Sequence, residues 1–168
     1  MRVFISWSGA RSRALALQLH DWLKAAVQRS DPWMSERDIE AGQRWNEEIS
    51  SRIICLTAEN LNAPWLLFEA GALAKALDSA RVVPVLLGVQ KADLTFPLAQ
   101  FQAVDADREG FWDLLSALNR ALREQQLSPI VLNNIFSGLW PTLETCLRTL
   151  PPASSWSEGR FGAVSGRC

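Results

Sequence analysis

The stretch "PWLLFEAGAL", residues 64 to 73, sets one carboxylate into an apolar helical run. Glu69 has Leu66, Leu67, Phe68, Ala70 and Leu73 around it in the chain. A charge among such neighbours is costly unless water or a partner reaches it. The i, i+4 spacing puts Trp65 and Glu69 on one face of a helix. Two readings are open: a solvated residue that interrupts the pattern, or a carboxylate held in a pocket to do chemistry. One carboxylate suffices for a bond whose leaving group is already cationic, as in an N-ribosyl pyridinium. That group departs without protonation. What remains is the positive charge growing on the ribose, which a preorganised carboxylate in a dry site stabilises. An aromatic beside it helps to place a ring.

Other machinery is missing. The chain has no GxxxxGK[ST] phosphate loop, no GxGxxG after a strand and no GxSxG elbow. Its one histidine, His20, falls inside the first predicted helix, so no base is at hand for Ser–His or Cys–His catalysis. No second acid stands out beside Glu69 for a two-carboxylate glycosidase. Cys55, Cys146 and Cys168 are far apart, with no CxxC spacing to suggest zinc or a redox site. Cys55 lies in an apolar run and reads as a small buried hydrophobe. The net charge of −1 leaves no basic excess for neutralising phosphates, which argues against nucleic-acid binding. No run suits a signal peptide or a bilayer span, so a reduced, cytoplasmic protein away from the membrane is expected. Eight Trp and no Tyr give each indole both a core reading and a ligand reading.

The elements that must position these residues alternate. Apolar runs predict strands at 3–6, 53–57 and 82–89, with weaker ones at 32–34 and 101–104. Pro84 counts against a fully hydrogen-bonded central position in the third run. Helical spacing predicts helices over 11–27, 43–51, 64–78, 108–124 and 131–149. Residues 35–42 read as a loop. The Pro/Ser/Gly-rich tail, 151–168, reads as flexible, after one domain over 1–150. Alternating strands and helices imply a parallel sheet covered on both faces, with ligands at the carboxyl ends of the strands. That rule selects Ser6, Trp7, Ser8 and Gly9 after the first strand, the 35–42 loop, and Thr57 to Asn60. Trp22 and Trp112 read as core. Arg11 and Arg13 could serve site or surface.

Four ordered blocks, "VFISWSG", "DIEAGQRW", "IICLTAENL" and "PWLLFEAGAL", together resemble a bacterial TIR (Toll/interleukin-1 receptor) domain over residues 2–105. The resemblance implies a flavodoxin-like α/β fold, three layers around a central parallel sheet of about five strands. Many members cleave NAD, as substrate rather than cofactor, into nicotinamide and ADP-ribose or a cyclised form, with no metal. It implies Glu69 as the catalytic carboxylate and Trp65 as its neighbour. Ser6, Trp7 and Ser8 would line the pocket. The loop around Asp38 to Gly42 would gate it and mediate assembly. Gly42, Arg44 and Trp45 complete the implied substrate-binding set, although Arg44 also suits water and Trp45 helix packing. Self-association through TIR–TIR contacts, a sensor domain or partner, and a role in antiphage defence are implied too. Two features depart from the family pattern. Only a short helix fits between Gly42 and Ile53, and no sensor domain is recognisable. The alternatives are a non-catalytic TIR interaction module and a nucleoside deoxyribosyltransferase-like enzyme.

Overall fold

The computed structural model describes residues 2–27, 31–34, 49–64 and 81–153. Five strands form one sheet: β1 (Arg2–Ser6), β2 (Asp31–Met34), β3 (Ile49–Thr57), β4 (Arg81–Leu87) and β5 (Val104–Asp105). Their order is β2-β1-β3-β4-β5 and every pairing is parallel. This is the flavodoxin-like order, which reverses direction between β1 and β3.

Both faces of the sheet are apolar because both are covered. Val3, Phe4 and Ile5 are all buried. Alternation along each strand divides the side chains between two cores. Ile53, Cys55, Val83 and Val85 face one cluster, and Ile54, Leu56, Val82 and Leu86 face the other. The first cluster takes in all three described α-helices: α1 (Ala10–Ala26), α2 (Arg108–Ala121) and α3 (Pro129–Arg148). On that face Trp22 meets Phe111 and Phe136 edge-on, at centroid distances of 5.6 and 6.2 Å. Trp112 and Trp140 join the same aromatic group through Phe136. Each such pair adds about 1 kcal/mol beyond its buried area. Trp22 is therefore a core residue and Trp112, partly buried, packs against the same core, on the side their helical spacing implies. The predicted helix 64–78 shows its first residue, Pro64; the rest lies outside the described residues, as do the loop 35–42 and the tail beyond residue 153.

Several boundaries differ from the sequence reading, each for a tertiary reason. Residues 49–51, expected to end a helix, are the start of β3. Arg2 pairs with Ile49 and Ser51 with Arg81, so neighbours on both sides supply a ladder that local pattern does not announce. The strand thus takes residues 49–52 out of the interval between Gly42 and Ile53. β5 is 104–105 rather than 101–104, because its ladder is set by Val85 and Leu86. Pro84 sits inside β4, where β5 pairs only from Val85 onward, and this accommodates its missing N–H. α2 stops at Ala121. The Asn119 side chain then donates to Leu127 O at 3.0 Å and accepts from Leu127 N at 2.8 Å, clamping the turn into α3. Ser128 caps α3 with Pro129 in its first turn, two residues ahead of the predicted start.

Cys55 is fully buried in the middle of β3. Burial pushes its thiol well above the ordinary range, because the thiolate would lose its water. The neutral thiol is thus bound more tightly in the folded state, and stability is lost as pH rises past the ordinary thiol range. At neutral pH a thiol reagent is expected to leave Cys55 unmodified in the native chain and label it in denaturant. Peptide mass mapping reads this directly; labelling of the native chain at Cys55 would contradict the burial.

Candidate functional site

The reversal of strand order places the carboxyl ends of β1 and β3 side by side. Ser6 closes β1 and is buried, at 2% exposure. Trp7 is half-buried against the first core. The Arg13 guanidinium lies 5.5 Å from its ring centroid, a cation–π contact that occupies one ring face. Gly9 follows with φ +89°, a backbone that L side chains rarely adopt, and caps α1 without a side chain.

Ser12, fully buried in the first turn of α1, reaches back to the peptide of Ser8. Its hydroxyl accepts from Ser8 N at 3.0 Å and donates to Ser8 O at 2.6 Å. Ser12→Ala leaves a part-buried N–H without its acceptor and is expected to cost about 2 kcal/mol, read as a lowered urea midpoint at unchanged slope.

From β3 the chain turns through Thr57, Ala58, Glu59 and Asn60. Asn60 is 2% exposed. Its amide accepts from Thr57 N at 2.8 Å and donates to Cys55 O at 3.0 Å and to Ser8 O at 3.1 Å. The last bond joins residues 52 apart in sequence. Beside it Arg11, from the first turn of α1, reaches Glu59 Oε2 at 3.9 Å, with both side chains mostly buried. The same guanidinium packs against Gly88, which follows β4 with φ +68°. A Cβ added there would meet Arg11 at 3.4 Å. Ser12, Asn60 and Arg11 thus tie together the loops that leave β1, β3 and β4.

Of the sequence-derived site residues, Ser6, Trp7 and Ser8 stand together at this edge. Gly42, Arg44, Trp45, Trp65 and Glu69 lie outside the described residues. Arg11 and Arg13, ambiguous by sequence, are engaged with Glu59 and Trp7. His20 is buried and its Nδ1 lies 2.9 Å from Asp21 Oδ1. It is a satisfied helix residue. Asn60 and Ser12 carry no sequence mark of their roles, since each acts through a fold-dependent partner. Among the described residues, no group of three or more His, Cys, Asp or Glu is arranged to hold a metal ion.

A separate cleft of about 730 Å³ opens beside β5, where Arg81, Lys91 and Arg120 face Asp105 and Asp113. It includes neither the β1 nor the β3 loop. Its charges oppose one another, and Lys91 already reaches Asp105 at 3.9 Å.

The strand order and the joined loops at its reversal define a flavodoxin-like α/β domain. The family model described as "TIR domain" matches residues 3–122, well over half of the chain. The chain belongs to the TIR domain family. Comparison with curated proteins gives no match. α3 lies beyond the matched stretch, yet its Leu132, Phe136, Trp140 and Leu143 belong to the same core as α1 and α2. Among the described residues no helix is long and apolar enough to cross a membrane.

Proposed function

We propose that this TIR domain is an NAD glycohydrolase. One observation carries the reading. In a TIR family member, Trp65 and Glu69 stand four residues apart in the sequence just after Pro64, the first helical residue after β3. The strand-end rule favours ligands at the edge this segment leaves.

The reaction breaks the bond between the nicotinamide ring nitrogen and ribose C1′. The bonding electrons leave with the ring, which becomes neutral without taking a proton. Positive charge develops on the ribose. The Glu69 carboxylate stabilises that charge, and Trp65 flanks the departing ring. Water then adds to C1′ and releases a proton, giving ADP-ribose. Attack by an atom of the ADP-ribose itself gives a cyclised form. Ser6, Trp7 and Ser8 line the pocket from the β1 side; Gly42, Arg44 and Trp45 contribute from the segment after β2. NAD enters as substrate, and the step draws on the carboxylate alone.

Self-assembly through TIR–TIR contacts activates the enzyme in this reading, triggered by a sensor domain or partner in bacterial antiphage defence. The test is free nicotinamide released from NAD by the purified chain over a range of protein concentrations. A rate that rises more than in proportion to concentration is expected. A rate strictly proportional from the most dilute sample upward would overturn the assembly requirement.

A further inference from the structure

We propose that Asn60 is a positioning residue, which locks the loop after β1 to the turns that lead from β3 into Pro64. The proposal rests on the hydrolase reading above, because those two segments supply Ser6–Ser8 and lead in sequence to Trp65 and Glu69.

Asn60 meets three backbone groups at once. Its one acceptor and two donors reach Thr57 N, Cys55 O and Ser8 O, all within 3.1 Å. Its own backbone is wound in as well. Asn60 N donates to Thr57 O at 3.1 Å, and Ala63 N donates to Asn60 O at 3.0 Å. Residues 57–63 are therefore consecutive turns built around one buried side chain. On the far side, the Ser8 carbonyl that Asn60 holds is also held by Ser12 at 2.6 Å. The Arg11–Glu59 pair spans the same gap one residue earlier. Displacing the β1 loop thus displaces the turns that lead into Pro64, and these two segments are set relative to each other before substrate arrives. A misplacement of about 1 Å can cost about 10²-fold in rate.

Only an amide serves all three partners. Asn60→Asp keeps the size and the acceptor for Thr57 but loses both donors. Asn60→Ala loses everything. The full chain, both variants and Glu69→Ala are compared by backbone hydrogen exchange and by nicotinamide release from NAD. Amides at 7–12 and at 57–63 are expected to exchange faster together in both Asn60 variants, while those of α3 keep their wild-type rates. Per folded molecule, kcat is expected to fall about tenfold or more with little change in KM. Faster exchange at 57–63 alone would overturn the coupling. Unchanged kcat in a variant whose two segments have both loosened would overturn the positioning role. If neither variant folds, Ser12→Ala removes the other side-chain bonds to the Ser8 peptide; unchanged kcat in a Ser12→Ala chain whose amides at 7–12 and 57–63 have both loosened would equally overturn it. A wild type that stays silent when fused to a multimerising partner would sink the hydrolase reading, and exchange would still decide whether Asn60 couples the segments.

Discussion

Gly110→Ala is expected to destabilise the domain by about 3 kcal/mol, lowering Tm by about 10 °C. Gly110 lies in the first turn of α2, where the helix crosses β5. A Cβ there would stand 2.1 Å from Asp105 O and 2.8 Å from Asp105 N. Both are backbone atoms, so no side chain can swing aside. Asp105 itself is held by its pairing with Leu86, and Ala106 N donates to Leu86 O at 2.8 Å. Either α2 lifts from the sheet or β5 leaves β4. Asp107→Ala is the control. It removes the cap that accepts from Gly110 N at 2.8 Å and is expected to cost only about 1 kcal/mol. Thermal or urea unfolding of both variants gives the comparison. A Gly110→Ala chain as stable as wild type would contradict this packing.

Glu69→Ala is expected to lower kcat/KM for NAD by about 10²–10³-fold, the usual cost of losing one preorganised group that stabilises transition-state charge. The magnitude follows from elementary electrostatics. A unit charge about 4 Å from a developing cation is worth about 4 kcal/mol at an effective dielectric of about 20. Water that enters in place of the carboxylate restores part of that. Glu69→Gln keeps the shape and removes the charge, so nearly the same loss is expected. Glu69→Asp keeps the charge at shorter reach, and an intermediate rate is expected. Stability is expected to stay level or rise in Glu69→Ala, since a carboxylate set among apolar neighbours in the sequence is costly to hold in a folded chain. Steady-state kinetics beside thermal unfolding separates these effects. Wild-type activity in Glu69→Gln would show that charge is not what the residue supplies.

The parts of this fold legible in the sequence are those where both faces of a strand are buried. "VFIS", "IICLT" and "VVPVLL" are apolar without alternation because two cores claim alternate side chains. α1 showed itself through Leu15, Leu19, Trp22 and Leu23, all buried against one face of the sheet. The start of β3 did not, because its Ser50, Ser51 and Arg52 offer no apolar run and owe their strand to β1 and β4 alongside. At the carboxyl ends of β1 and β3, the strand-end rule alone picks out Ser6, Trp7, Ser8 and the turn Thr57 to Asn60. The rule places Asn60 but not its task, since the Ser8 carbonyl that it holds is brought close only by the sheet. The task of Ser12, holding the Ser8 peptide, exists only once the chain has turned from β1 into α1. Arg11 and Arg13 were ambiguous for the same reason: their partners, Glu59 and Trp7, come from other segments of the fold.

The central claim is that this TIR domain cleaves NAD through Glu69. The most direct test fuses the chain to a multimerising partner, so that assembly needs no sensor, and measures free nicotinamide from NAD beside the same fusion carrying Glu69→Ala. The account expects steady release from the wild-type fusion and loss of it in the mutant, with both folded. A folded, assembled wild-type fusion that releases no nicotinamide would contradict the account and leave the domain an interaction module. Equal release from both fusions would place the catalytic group elsewhere.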